Sequence, residues 1–215
     1  MTRTYPFLVG VTGGLGSGKS MVCRFLSGMG CALFESDRVA KELQLGDLEV
    51  IKGIKELFGE NIYSFDRQGV MVLDRKKIAA TVFSSPDTLQ KLNQLVHPKV
   101  FDEFGKAVQD ARQRGRKILV KEAAIIFESG GESGLDAVVV VAADMQERIG
   151  RAVRKGMGTP DEIRRRIETQ WPQERLLAQA DYVLFNKGSL DELKQETEKL
   201  FERLLEAAAT TCESL

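Results

Sequence analysis

One stretch limits what this chain can fold into: Phe7-Leu8-Val9-Gly10-Val11-Thr12-Gly13-Gly14-Leu15-Gly16-Ser17-Gly18-Lys19-Ser20. Its first half is an apolar run of a length that suits a buried strand. Its second half fits the phosphate-loop pattern Gly13-x-x-x-x-Gly18-Lys19-Ser20 at every defined position. Glycines let the backbone curl until successive N–H groups point into one concavity, where polyphosphate oxygens can sit. The helix that follows adds its free N–H groups and the positive end of its dipole. Lys19 brings a full charge to the outer phosphates, and Ser20 a hydroxyl for Mg²⁺. The plainer alternative is a glycine-rich turn between strand and helix. Met21, Val22, Phe25 and Leu26 share one helical stripe just after the loop, which is the context a phosphate loop requires. The stretch therefore predicts a nucleoside triphosphate and Mg²⁺, and leaves open what is done with them.

The 215 residues, 43% of them hydrophobic, suffice for one α/β core with a small appended lobe. Lys plus Arg and Asp plus Glu both number 31, a balance that asks for neither nucleic acid nor an anionic membrane. Cys23, Cys31 and Cys212 make an odd set without metal-ligand spacing. Cys23 and Cys31 read as small buried apolar residues, which suits a reducing compartment. No stretch reaches transmembrane length, and the first apolar run is the first strand rather than a signal peptide. A soluble, cytoplasmic protein is expected.

Further along, Cys31–Phe34 reads as a second strand, with Glu35, Ser36 and Asp37 at its carboxyl end, where open α/β sheets gather functional groups. Asp37 is thus either an acceptor-side group near the phosphate loop or, with Ser36, a cap for a helix over 38–45. Residues 47–114 are mostly helical in pattern. Val50, Ile51, Ile54, Leu57 and Phe58 keep helical spacing before Gly59, and residues 60–73 read as a turn-rich connector. Asp74 caps a helix through Phe83, and Ser85-Pro86 starts another. His97-Pro98 is expected to interrupt it, with a further helix from Lys99 to about Arg114. His97, the single histidine, stands before a proline, where spacing alone favours a structural role over a functional one. A strand over 117–120 ends near Glu122, a position from which a carboxylate can hold Mg²⁺ or its waters. Residues 137–143 read as a buried parallel strand. Arg148, Arg151, Arg154, Lys155, Arg164, Arg165 and Arg166 form the densest basic stretch. It is either a solvated helix face or a lid that brings arginines onto a transferring phosphoryl group. Residues 181–185 are a last strand, and Ser189-Leu190-Asp191-Glu192 boxes the start of a C-terminal helix that frays from about Ala207.

This order of elements resembles the nucleoside-monophosphate-kinase layout, and within it the chain closely resembles the dephospho-CoA kinases. The resemblance rests on Val11–Ser20, Ser36-Asp37-Arg38-Val39-Ala40 and Leu92-Asn93-x-x-Val96-His97-Pro98. It continues through Ile126-Phe127-Glu128, Arg166-x-x-x-Gln170 and Ala180-Asp181-Tyr182-Val183-x-x-Asn186. It implies an α/β P-loop kinase with a parallel sheet core flanked by helices, over about 5–44, 115–144 and 172–208. A helical CoA-binding lobe is implied over about 45–114, an Arg-rich lid over about 145–171 and a frayed tail over about 207–215. The implied reaction moves the ATP γ-phosphoryl group to the ribose 3′-hydroxyl of dephospho-CoA, giving CoA and ADP and completing CoA biosynthesis. The implied partners are ATP, Mg²⁺ and dephospho-CoA, on a monomer or weak homo-oligomer. By position, Asp37 matches the proposed general base, with Lys19 and Arg151 as further catalytic groups. Gly13, Gly14, Gly16, Ser17, Gly18, Lys19, Ser20, Met21 and Asn186 would bind ATP. Asp37, His97, Arg148 and Arg154 would meet the acceptor. Ser20, with Glu122, would hold the metal. The chain departs from the family at Glu35, where Asp is frequent, at Met21, where Thr is usual, and at Lys155, where Arg is common. At Glu122-Ala123-Ala124-Ile125-Ile126-Phe127-Glu128 the family's Asp becomes Glu and its proline is absent. The alternatives are another small-molecule or nucleotide kinase of this layout, or a nucleotide-dependent switch, for which Asn186-Lys187-Gly188-Ser189 is an incomplete guanine signature.

Overall fold

The computed structural model describes residues 6–213, which divide into two units: residues 6–35 with 107–213, and Ser36–Lys106. The first unit opens with β1 (Phe7–Thr12), the phosphate loop, α1 (Lys19–Gly28) and β2 (Ala32–Glu35). On α1, Val22, Cys23 and Leu26 are buried, and Met21 and Phe25 pack partly buried beside them, as their shared stripe predicts.

The second unit holds α2 (Ser36–Gly46), α3 (Leu48–Phe58), the short strands β3 (Tyr63–Phe65) and β4 (Met71–Leu73), α4 (Arg75–Ser84) and the first part of α5 (Pro86–Gln113). Asp47 caps α3 by accepting the N–H groups of Glu49 and Val50, and Asp74 caps α4 by accepting that of Lys77. The expected connector over 60–73 is instead an antiparallel hairpin pairing Tyr63 with Leu73 and Phe65 with Met71. Its turn closes on the Asp66 carboxylate, which accepts the N–H groups of Gln68 at 2.8 Å and Val70 at 2.9 Å. Strands of three residues are too short to show an alternation in sequence.

The expected break at His97-Pro98 does not occur, and α5 runs through it for 28 residues. An interior proline removes one helical N–H and costs about 3 kcal/mol against alanine. Leu92 and Val96 before it are buried, and Leu95 and Val100 partly so, in one cluster with Val50, Ile54, Phe58, Ile62, Leu73 and Ile78. Each fully buried side chain of this kind contributes about 1.5–3 kcal/mol, so the packing of both halves outweighs the proline while Pro98 itself stays exposed.

The first unit resumes with β5 (Ile118–Glu122), β6 (Ala137–Ala142), α6 (Met145–Arg154), α7 (Pro160–Glu168), α8 (Gln173–Gln179), β7 (Tyr182–Phe185) and α9 (Leu190–Glu213). Its five strands form one parallel sheet in the order β2-β5-β1-β6-β7. The fold class is thus the expected α/β type. Every residue of β6 is buried, as its unbroken apolar run predicts. Two carboxylates set the start of neighbouring strands: Asp136 accepts the N–H of Leu8 and Asp181 that of Val138, each at 2.7 Å. Asp181 of the Ala-Asp-Tyr-Val motif therefore has a structural task. Helix α8 was not expected. The tail expected to fray from about Ala207 is also helical through Glu213, because Ala207 and Ala208 pack against the cluster that buries Leu193, Leu200 and Leu204. Residues 214–215 and the Cys212 side chain lie outside the described residues. Among those described, no helix is long and apolar enough to cross a membrane.

Candidate active site

The phosphate loop joins β1 to α1 at the carboxyl end of the middle strand of the sheet. Gly18 precedes the first helical turn with φ 105°, and the N–H groups of Met21 and Val22 bond back to its carbonyl. Lys19 opens α1 and is half-buried, while Ser20 is exposed. The Ser20 hydroxyl donates to Glu122 Oε1 at 2.7 Å, bringing together the two groups expected at a metal. Glu122 ends β5, in register between Val11 of β1 and Glu35 of β2, so two carboxylates close adjacent strands. The Ser17 side chain is fully buried in the loop, and its hydroxyl has no hydrogen-bond partner among the described residues.

A second set of side chains holds the loop from outside. Asn186, at the end of β7, donates from Nδ2 to the Ser17 carbonyl at 2.8 Å. Its own N–H bonds to Ala142 and its carbonyl accepts Arg151 Nη2 at 3.2 Å. Arg151 Nη1 also reaches the Ser17 carbonyl at 3.5 Å. Arg148 Nε donates to the Leu15 carbonyl at 3.0 Å, and Gln170 Oε1 accepts the Leu15 N–H at 2.9 Å. Arg148 is 5% exposed, which rules out a solvated face for this part of the basic stretch. Burial lowers the Arg148 pKa, with Glu174 acting against that shift. The fit is close. At Gly16, φ is 78° and an added side chain would run into the Arg148 backbone, while one at Gly14 would strike the Arg148 guanidinium.

Helix α6 carries both arginines and packs against α7. Asp144 caps α6 through the N–H of Gln146, and Thr159 and Glu162 cap α7 reciprocally. Ile149, Ala152, Ile163 and Ile167 are buried between the helices, and the Leu15 side chain packs against them. Arg154, in the last turn of α6, is exposed. Met21 lies half-buried on the main cluster. Asp37 and His97 belong to the second unit: Asp37 is exposed in the first turn of α2, and His97 is half-buried in α5. Ser36 and Asp37 thus lie inside the helix rather than before it.

Two side chains given no role in the sequence reading take part here. Gln170 is visible in sequence only as the end of the Arg166-x-x-x-Gln170 spacing. Lys121 lies buried in β5, one residue before Glu122, and donates from Nζ to the Gly131 carbonyl at 3.1 Å. Burial lowers its pKa, with Glu132 opposing. It ties down the loop after β5 in which the family's proline is absent. Nothing in an apolar strand pattern marks such a lysine in advance. Cys23 on α1 and Cys31 just before β2 are buried and free. Burial, reinforced by the Glu122 carboxylate, pushes the Cys23 thiol far above its ordinary value, and burial pushes Cys31 up to about 12.

A parallel sheet with a phosphate loop after its middle strand, and basic helices closed on that loop, defines a P-loop phosphotransferase of the α/β class. The model of the dephospho-CoA kinase family matches residues 7–192, and the chain belongs to that family. It is 57% identical over 210 residues to a dephospho-CoA kinase of Chlorobium luteolum, covering 98% of this chain and 96% of the relative. The corresponding enzyme of Chlorobaculum tepidum is 52% identical, with 95% and 98% covered. Among solved structures, a Thermus thermophilus protein superposes with a TM-score of 0.77 at 28% identity over 93% of this chain and 98% of its own. A dephospho-CoA kinase from Campylobacter jejuni shares the fold, with a TM-score of 0.67 at 21% identity over 94% and 98%. Membership makes the chain an ATP-dependent kinase of CoA biosynthesis.

Proposed function

We propose that this chain transfers the γ-phosphoryl group of ATP to the ribose 3′-hydroxyl of dephospho-CoA, and that the residues around Gly13–Ser20 perform the transfer. One observation carries the assignment of the donor site: the Ser20 hydroxyl and the Glu122 carboxylate meet at 2.7 Å beside the loop. Two hard oxygen donors suit Mg²⁺, which takes few protein ligands and completes its shell with water and phosphate. Ser20 and Glu122 would hold that ion, and its charge would offset that of the triphosphate. Lys19 and the amides at the start of α1 bind and orient the phosphates. In such a reaction positioning and charge neutralisation supply most of the acceleration.

Asp37 holds the acceptor hydroxyl in line and takes its proton, a role supported by its exposed carboxylate on the segment that matches the family motif. The unit Ser36–Lys106 is the proposed acceptor lobe, with His97 contributing to it. Arg148 and Arg151 act through the loop they hold, and Arg154 is the lid arginine left exposed to meet substrate. Balanced charge and two buried free thiols support a cytoplasmic enzyme that works as a monomer or weak homo-oligomer without nucleic acid. ADP release with ATP and Mg²⁺ across a panel of acceptor alcohols tests the reading. Dephospho-CoA is the acceptor expected to support turnover, and inactivity with it would reject the assignment. Asp37→Asn is expected to lower turnover with ATP affinity unchanged; a collapse of ATP affinity would reassign Asp37 to the donor side.

A further inference from the structure

We propose that Gln170 is a positioning residue for ATP: it holds the outer turn of the phosphate loop through Leu15 and links that turn to Trp171. The inference rests on the reading of Gly13–Ser20 as the ATP site. Leu15 lies in the middle of the loop, and both of its backbone groups are engaged from outside. Its N–H donates to Gln170 Oε1 at 2.9 Å, and its carbonyl accepts Arg148 Nε at 3.0 Å. Its side chain packs with Ile149, Ala152, Ile163 and Ile167. Among its neighbours, the Ser17 N–H closes back on the Gly14 carbonyl at 3.0 Å. The Leu15 amide is therefore withheld from any ligand, and the loop takes its curve before ATP arrives.

Glycine-rich backbone has much freedom to lose, so a loop already curved binds its ligand with a smaller ordering cost. Gln170 is well placed for that task. Its own N–H bonds to the Ile167 carbonyl at 3.1 Å, which anchors it to the end of α7. The next residue, Trp171, stacks on Phe127 with ring centroids 6.5 Å apart and planes 9° from parallel. The Arg175 guanidinium covers the indole at 3.3 Å from the ring centroid, and the backbone N–H of Trp171 donates to Glu128 Oε1 at 3.4 Å. A ligand that tightens or shifts the turn at Leu15 pulls on Gln170 and so on the packed indole. Trp171 is the single tryptophan of the chain, so the tryptophan emission comes from this position.

The test is an ADP titration of the full chain followed by Trp171 emission, with steady-state kinetics in ATP and in dephospho-CoA, for the wild type, Gln170→Met and Gln170→Glu. Wild-type emission is expected to change saturably with ADP. Gln170→Met keeps the length of the side chain and loses the acceptor. It is expected to raise KM for ATP about tenfold, the ratio one buried hydrogen bond is worth. KM for dephospho-CoA stays unchanged and the emission response is lost. Gln170→Glu keeps an acceptor oxygen at the same reach and recovers the response. The proposal is overturned by wild-type emission blind to ADP, by Gln170→Met with a wild-type KM for ATP, by equal rises in both KM values, or by Gln170→Glu as impaired as Gln170→Met. Should Gln170→Met not fold, Gln170→Asn, one methylene shorter, carries the same expectation. Wild-type protein that binds ADP yet leaves dephospho-CoA unmodified would sink the acceptor assignment while the titration still decides the role of Gln170.

Discussion

The inner and outer sides of the phosphate loop are built on opposite terms. Inside, Lys19 and Ser20 come from the loop's own sequence, and Ser20 is exposed with its hydroxyl on Glu122. Outside, Arg148 and Asn186 are buried and arrive from distant segments, and each donates to a loop carbonyl. The inner groups face the concavity of the loop, and the partner of Ser20 is itself a carboxylate suited to a metal. The outer groups are spent on the fold, and the loop keeps its shape because they are. Damage to the inner side is expected to remove chemistry and spare stability, and damage to the outer side to remove stability first.

The largest expected effect is Lys19→Ala. Loss of a group aimed at developing charge costs about 3–4 kcal/mol in the transition state, a fall in turnover of about two to three decades. The melting temperature is expected to stay near wild type, because Lys19 opens α1 half-buried and lies outside the apolar cluster that the helix buries. Turnover near wild type would break the assignment of the inner side. Next is Asn186→Ala on the outer side. It strips the Ser17 carbonyl of the Nδ2 donor at 2.8 Å and is expected to cost about 1–3 kcal/mol in chemical denaturation. An unchanged unfolding midpoint with lost activity would show that Asn186 belongs to the ligand side after all.

Glu122→Gln sharpens the comparison at the proposed Mg²⁺ position. The neutral amide still accepts the Ser20 hydroxyl, so stability holds, while the Mg²⁺ concentration for half-maximal turnover rises about fivefold to tenfold, as loss of one charged oxygen ligand implies. Titration of activity with Mg²⁺ decides it. The smallest effect lies away from the loop, at the amino end of β2. Burial raises Cys31 from 9.0 to about 12, so the folded state favours the neutral thiol. That preference is complete below about 9, and stability falls as pH climbs from there towards 12. A denaturation series across this window reads the slope. At neutral pH both Cys23 and Cys31 should resist alkylation until the protein unfolds, and rapid modification of either would show a local opening of the core cluster that buries them.

The inner side was legible because it is local. Gly13–Ser20 carries its pattern within one short segment, Glu122 ends an apolar run, and caps such as Asp144 and Thr159-x-x-Glu162 sit beside the helices they start. The same locality made β6 and the stripe on α1 readable. It failed where distant packing overruled a local rule. Pro98 forbids a helix only in isolation, and Leu92, Val96 and Val100 pull both halves of α5 into one cluster. Ala207 and Ala208 read as a loose end until the sheet offers them a surface.

By itself the amino-acid sequence determined that the chain has a phosphate loop between strand and helix, an α/β order of elements and the motifs of one kinase family, because each is a matter of neighbours along the chain. Only the tertiary structure decided what the basic stretch and the terminal motif are for. Arg148 meets Leu15 across 133 positions, Gln170 meets it across 155, and Asn186 meets Ser17 across 169. Contacts at such separations exist only once the parallel sheet has set its strand order, which brings β7, α6 and α7 to the carboxyl end of β1. A buried guanidinium and an exposed one look alike in sequence. The difference is the burial that folding imposes.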